Sequence, residues 1–358
     1  LVTRTIALMT GGGDCPGLNA AIRTVVRVAT REYGYRVIGI NDGYEGLVEK
    51  RYRELTTNDT RGILRVGGTM LGSSNRTNPF KYVGRGQTTE RDASEDAFET
   101  LKDIGADAMV VIGGDGTLFL THMFAAGRFP VVGIPKTIDN DVHGTDFAIG
   151  FDTCINTVTE AIDKVHTTAE SHHRIVVIEV MGRTAGWVAL YSGVAGGADI
   201  VLVPERPYTI DAIMNKIEQR SNAGRRFTII VVAEGAVAPS GEALYLSQTG
   251  DSHAWKLGGI GNALAAALTA RCDQEVRATV LGHLQRGGSP TPADRLLATQ
   301  LAFTAIEGLH QGHDGVMAGI QGSNLVLVPF EEVAIGPRLL PADHPVLRAA
   351  EGMGMYVG

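Results

Sequence analysis

The chain has 358 residues, 44% of them hydrophobic and 20% charged, with a mean hydropathy of +0.05. That is enough apolar material for a sizeable core, and the length favours two domains. A net charge of −7 and a pI of 5.8 exclude a general electrostatic pull toward nucleic acid or an anionic membrane, so any phosphate site must be a local basic cluster.

Thr5–Met9 is an apolar strand that runs into Thr10-Gly11-Gly12-Gly13-Asp14-Cys15-Pro16-Gly17-Leu18-Asn19. The pattern then turns helical, and Asn19 is the expected N-cap for a helix over Ala20–Tyr33. Glycines here let backbone amides approach an anion, although a plain chain reversal would use them too. After a strand at Tyr35–Ile40, Gly67–Arg76 forms a glycine- and serine-rich loop with Arg76 as the charge at its end. Thr89–Ile104 reads as an amphipathic helix. Three cysteines (Cys15, Cys154, Cys272), widely spaced and without a CxxC pair, fit a reduced cytoplasmic thiol set and argue against structural zinc. No apolar run approaches the length of a spanning helix. Leu1 in place of an initiator Met implies a trimmed or processed start.

Val110–Asp141 is the stretch the rest serves. Ala108–Ile112 has the pattern of a strand buried on both faces. Gly113-Gly114-Asp115-Gly116-Thr117 opens a helical stretch through Ala126, whose first N–H groups can face a phosphate. Asp115 adds a carboxylate suited to Mg²⁺, which prefers one or two carboxylates plus substrate phosphates. A second buried strand, Pro130–Ile134, leads to Lys136-Thr137-Ile138-Asp139-Asn140-Asp141. Taken alone, the glycine turn could simply reverse the chain, and the acidic loop could be an Asx-turn. Together they place phosphate, metal and proton acceptor at the carboxyl ends of neighbouring strands.

Phe151–Ser171 is a long helix whose Ile155, Val158, Ile162 and Val165 form a core stripe. Adjacent histidines such as His172 and His173 point to opposite sides and make a poor metal pair. A strand at Ile175–Val180 ends in Met181-Gly182-Arg183, before a helix on which Trp187 is a packing residue. Strands follow at Asp199–Val203 and Phe227–Ala233, separated by a helix at Ile210–Ser221. Glu234 comes just past the second of these strands. After a helix at Leu257–Ala270, a strand over Glu275–Leu281 runs into Gly282–Pro290. Arg277, His283 and Arg286 within ten residues of an acidic protein suit a phosphate monoester. Pro292–Glu307 is helical and Leu325–Val328 is a late strand. The last twenty or so residues carry no functional reading.

From Thr5 to Gln321 these motifs, in order, resemble the 6-phosphofructokinase family. GGDGT alone is equally similar to NAD kinases and diacylglycerol kinases, but MGR and GHLQRGG are not. The resemblance implies an α/β fold of two Rossmann-like three-layer domains with the active site in the cleft between them. Residues 1–150 plus 285–335 would bind nucleotide, and 151–284 plus 336–358 the sugar phosphate. It implies an ATP site of Gly13, Arg76, Thr77, Gly114, Asp115, Gly116 and Thr117, with Mg²⁺ on Asp115. Asp139 would be the catalytic base, beside Asp141, and Arg183 would stabilise the moving phosphoryl group. Fructose 6-phosphate would meet Thr137, Asp139, Arg174, Met181, Gly182, Arg183, Glu234, Arg277, His283 and Arg286. Arg174 and Arg277 would reach a neighbouring subunit's ligand in a homodimer or homotetramer, in the cytoplasm, with no nucleic-acid or membrane partner.

The resemblance also bears on donor and regulation. Gly116 leaves room for a nucleotide where pyrophosphate-dependent members carry Asp, so ATP is expected. Lys136 is shared with many pyrophosphate enzymes and makes pyrophosphate the alternative donor. A non-catalytic regulatory subunit is the distant alternative, disfavoured by the presence of Asp115 and Asp139. Arg23, Arg27, Asp199 and Arg225 match the bacterial effector site, whereas Thr57, His166 and Ala223 stand where it would have basic groups. Nucleotide allostery is therefore expected to be weak or altered.

Overall fold

The computed structural model describes residues 4–237, 245–247 and 256–358, so Leu1 lies outside the described residues. The strands are β1 Thr5–Thr10, β2 Arg36–Ile40, β3 Tyr52–Leu55, β4 Ala108–Gly113, β5 Val131–Pro135, β6 Ile175–Val180 and β7 Ile200–Leu202. They continue with β8 Thr228–Ala233, β9 Tyr245–Ser247, β10 Lys256–Leu257, β11 Val276–Val280, β12 Val316–Gln321, β13 Asn324–Pro329 and β14 Tyr356–Val357. The helices are α1 Leu18–Arg31, α2 Tyr44–Val48, α3 Ser94–Asp103, α4 Asp115–Ala125, α5 Phe151–His172 and α6 Trp187–Ala195. After them come α7 Ile210–Asn222, α8 Ile260–Thr269, α9 Pro292–His310, α10 Phe330–Val333 and α11 Pro345–Gly352.

The chain forms two compact units. The first holds Leu1–Thr137, Asp141–Thr153 and Arg286–Pro337; the second holds Ile138–Asn140, Cys154–Gln285 and Arg338–Gly358. In the first, a seven-stranded sheet runs β13-β12-β5-β4-β1-β2-β3. Its strands are parallel except the edge strands β3 and β13. β1, β4 and β5 are buried throughout, which is why they read as short hydrophobic runs. The strand order reverses between β1 and β4, creating a topological switch point. Met9, Val111, Leu118, Phe124 and Phe330 belong to the core on this sheet.

In the second unit a parallel five-stranded sheet runs β11-β6-β8-β7-β14. Its core includes Ile175, Leu202, Ile230, Ile260 and Leu264. Glu179, next to last in buried β6, is only 3% exposed, and both its oxygens are used. They accept the N–H groups of Gly259 at 3.1 Å and Gly261 at 2.8 Å, capping α8 from inside the sheet.

Several expected boundaries differ, each for a local reason. Asn19 is not the N-cap of α1; that position is Gly17, in the left-handed region at φ 109. Asn19 instead donates to the carbonyls of Val66 and Gly67 at 3.0 and 3.1 Å and accepts from Met70 N at 2.8 Å, so it anchors a loop. Helix α3 starts at Ser94, not Thr89, because Arg91 pairs with Tyr82 in an isolated antiparallel bridge. Helix α8 starts at Ile260, not Leu257, since Gly258 and Gly259 take φ values of 134 and 90 that no helix continues. β12 escaped the sequence reading, and the unread C-terminal stretch supplies α11 and the edge strand β14.

A buried carboxylate joins two helix starts in the first unit. Asp294 is fully buried and accepts from Gly150 N at 2.9 Å, Thr153 N at 2.8 Å and Thr153 Oγ1 at 2.5 Å. Thr153 Oγ1 in turn accepts from Thr291 N at 3.0 Å, and Thr291 caps α9. Burial pushes the Asp294 carboxyl up, and its three hydrogen bonds pull it back. Asp294→Ala strands all these donors, each costing about 1–3 kcal/mol when left unpaired. A fall of about 3 kcal/mol in the first cooperative urea transition is expected; an unchanged midpoint would show that water replaces the carboxylate.

Candidate active site

The first unit gathers its loops at the carboxyl ends of β1 and β4, on the two sides of the switch point. Gly11 N donates to Ile112 O at 3.0 Å, joining the two strand ends. Gly12 N donates to Ser74 O at 3.1 Å, Ser73 Oγ to Gly12 O at 2.5 Å, and Thr10 Oγ1 to Gly72 O at 2.6 Å. The Gly67–Arg76 loop is thereby fastened to the glycine turn. An open hollow of about 360 Å³ lies there, lined by Gly12, Gly13, Asp14, Thr69, Ser73 and Asn75. Arg76 is exposed and does not line it. Asn75 lines it instead. Thr77 shares a hydroxyl bond of 2.7 Å with Ser74.

Helix α4 opens at Asp115, half-buried in its first turn, with Gly114 extended before it. Gly116 is exposed, and a Cβ built on it would have nothing within 4 Å. Thr117 wedges between the two turns. A Cβ on Gly11 would come 2.6 Å from its Cγ2, and one on Gly113 would come 2.5 Å from its Cβ. Lys136 is 2% exposed, and its Nζ donates to Gly13 O at 2.6 Å. This sets the lysine ammonium against the carbonyl side of the glycine turn. Arg286 Nη1 donates to Asp14 O at 3.2 Å, and a Cβ on Gly13 would sit 2.6 Å from the same nitrogen. Arg286, expected on the sugar phosphate, is thus tied to the glycine turn within the first unit.

Among the described residues no group of three or more His, Cys, Asp or Glu could hold a metal by itself. Asp115 at an uncrowded helix start fits Mg²⁺ of the kind held by one carboxylate and substrate phosphates. The acidic loop crosses between the units: Thr137 and Asp141 belong to the first, Asp139 and Asn140 to the second. Asp139, Asn140 and Asp141 are 4%, 1% and 3% exposed, and Asn140 has φ 52.

In the second unit, three adjacent parallel strands bring Met181–Arg183 (after β6), Glu234 (after β8) and His283 (after β11) to one sheet edge. Gly182 and Arg183 have φ values of 141 and 50. Glu234 Oε1 accepts Arg183 N at 3.2 Å, and Gly235 is obligatory beside them, since a Cβ there would lie 1.7 Å from Arg183 O. Arg183 and His283 are exposed. Gln285 is fully buried, accepting Met181 N at 3.1 Å and donating to Gly282 O at 3.0 Å. The sequence reading missed Gln285 as the residue that fixes the MGR turn against the GHLQR turn. A glutamine on the buried side of a short helical turn was the available signal.

Arg174 and Arg277 lie elsewhere. They stand at the amino ends of β6 and β11, both bound to Glu275, Arg174 at 2.5 Å. A six-residue strand separates them from the Met181 edge by roughly 20 Å. Within the second unit these two arginines are therefore not brought to Met181, Gly182, Arg183, Glu234 or His283. Of the effector-site matches, Asp199 is engaged by Arg220 at 2.5 Å and by Ile229 N at 2.9 Å, while Arg23 and Arg27 lie on α1.

The phosphofructokinase family model matches residues 5–309. ATP-dependent 6-phosphofructokinase 2 of Clostridium perfringens is 45% identical over 357 residues, 98% of each chain. Pyrophosphate--fructose 6-phosphate 1-phosphotransferase of Amycolatopsis mediterranei is 45% identical over 343 residues, 95% of this chain and 97% of its own. The structure of phosphofructokinase from Saccharomyces cerevisiae superimposes with a TM-score of 0.79 at 33% identity. That match covers 93% of this chain and 45% of the yeast chain, so this chain spans less than half the yeast length.

The glycine turn also contains a thiol that its surroundings silence. Cys15 is fully buried, its Sγ donates to Ile149 O at 3.2 Å, and burial pushes its pKa up to about 12. At pH 8 iodoacetamide is expected to label Cys272, which is partly exposed, well before Cys15 or Cys154. Early labelling of Cys15 by mass spectrometry would mean that the turn opens in solution.

Proposed function

Since the chain belongs to the phosphofructokinase family, we propose that it transfers the γ-phosphoryl group of ATP to the 1-hydroxyl of fructose 6-phosphate. The first unit is the nucleotide side of this reading and the second the sugar-phosphate side. Asp139 takes the proton from the attacking hydroxyl, which is a poor nucleophile until that proton leaves. Asp141 orients the same loop. The N–H of Gly13 and the guanidinium of Arg183 carry the charge on the phosphoryl oxygens, since such transfer rests on positioning and electrostatics. Gly114, Gly116 and Thr117 frame the helix start that receives the donor phosphates, with Thr77 and Arg76 at the neighbouring loop. Asp115 would hold Mg²⁺ together with the donor phosphates, and the ion would supply further charge neutralisation. Thr137, Met181, Gly182, Glu234, His283 and Arg286 bind the sugar phosphate. Three free thiols and the absence of a membrane-crossing helix among the described residues support a cytoplasmic setting.

The observation that carries the choice of donor is the open space at Gly116. A Cβ there would have no neighbour within 4 Å, so a carboxylate at this position is expected to act on the ligand and to leave the fold alone. Lys136 favours the second reading, pyrophosphate, because its buried ammonium serves a phosphate of either donor. A like-charge clash costs more than one extra cation gains, typically several kcal/mol, so ATP is the donor chosen. Initial rates with ATP and with pyrophosphate, side by side, test this. Gly116→Asp should fold normally and lose at least about tenfold in kcat/KM for ATP. A wild-type kcat/KM for pyrophosphate well above that for ATP would overturn the choice.

Asp139→Asn should lower kcat by at least about 10²-fold while substrate binding persists, because an amide cannot take the proton. The position of Arg174 and Arg277 at the far end of their strands supports a sugar-phosphate site completed by a second copy of the chain, in a homodimer or homotetramer. Mixing Arg174→Ala protomers with Asp139→Asn protomers should then restore part of the activity. Absence of rescue in verified hybrids would place each site within one chain.

A further inference from the structure

We propose that Arg338, from the C-terminal segment of the second unit, is a positioning residue for the acidic loop, held in place by Trp187. The proposal rests on the base role given to Asp139 above. Arg338 Nη2 donates to the carbonyl of Asn140 at 2.9 Å, across 198 residues of chain. Asn140 stands between the two aspartates, is 1% exposed and sits in the left-handed region, which asparagine tolerates better than most residues. A buried carbonyl needs a donor, and a guanidinium supplies a charge-assisted one. The direction of that carbonyl fixes the peptide plane joining Asn140 to Asp141, and the left-handed turn at Asn140 sets where Asp139 points.

Trp187 secures Arg338 at two places. The guanidinium carbon lies 4.3 Å from the centre of the indole ring, and the indole Nε1–H donates to the carbonyl of Arg338 at 2.8 Å. The indole is 2% exposed, with His344 packed edge-on at 5.1 Å. It is also the first residue of α6, directly after the Met181–Gly186 turn that carries Arg183. One ring thus ties the backbone that presents Arg183 to the arginine that holds the Asp139 loop. A general base works only within hydrogen-bond reach of its proton, and a misplacement of about 1 Å costs on the order of 10²-fold.

The test is steady-state kinetics on the full-length protein with fructose 6-phosphate and ATP. Arg338→Met keeps an apolar stem against the indole and removes the donor. It should lower kcat about 10- to 100-fold while both KM values stay within about threefold. Arg338→Lys, which retains a charged donor, should recover a large part of the loss. Trp187→Phe keeps a ring and loses the N–H; it should lower kcat in the same sense, by less, and add little to Arg338→Met. A full kcat in Arg338→Met, alongside a dead Asp139→Asn, would overturn the Arg338 role alone. So would a loss that Arg338→Lys shares in full, or raised KM values with kcat intact. If Arg338→Met fails to fold, a wild-type kcat in Trp187→Phe marks the contact as merely structural and equally ends the proposal. An inactive wild type, or a fully active Asp139→Asn, removes the base reading itself and this proposal with it.

Discussion

A parallel strand has to be left at its carboxyl end and re-entered at its amino end, and this constraint organises everything else in the molecule. Each crossover helix takes up one face of a sheet, so the turns free to vary gather at one edge. Both units obey it. In the first, the turns after β1 and β4 meet at the switch point; in the second, the turns after β6, β8 and β11 stand side by side. Arg174 and Arg277 are the departure, placed at strand starts and paired with Glu275. A residue at that edge needs something other than its own sheet to bring it to a ligand. That is the physical content of the two-subunit proposal.

Buried charge follows a second pattern. Lys136, Glu179 and Asp294 are each nearly or wholly inaccessible, and each bonds to backbone groups that a turn or helix start would otherwise leave unpaired. The cost of desolvating the ion is offset by satisfying several polar groups at once. These residues hold in register the loops that the chemistry requires, which explains why they lie among the motifs without belonging to the expected ligand set.

Much of this was legible in the sequence because buried parallel strands announce themselves as short apolar runs ending in glycine. β1, β4, β5, β6 and β8 were found within a residue or so of their observed ends. The family resemblance was legible for a different reason: motifs that bind phosphates demand particular residues at particular spacings. What stayed hidden was set by distant contacts. Asn19 looks like a helix cap until its amide is seen to hold Val66, Gly67 and Met70. β14 is two residues long and exists only because β7 offers an edge. Gln285 and Arg338 act on backbone groups about a hundred residues away or more, and no local periodicity records that.

The route of the chain has a consequence for how the protein is made. The first sheet takes β12 beside β5, pairing Val316 with Val132, and the second is closed by Tyr356 beside Ile200. Neither unit is a contiguous piece of sequence. A growing chain on the ribosome, supplied at about 5–20 residues per second, therefore cannot finish one unit before starting the other. With residue 285 just synthesised, the open flank of β5 still awaits its partner, an apolar edge exposed for the seconds that translation takes. Folding of both units is thus expected to wait for their late segments and to be dominated by contacts of long sequence separation, the slow class.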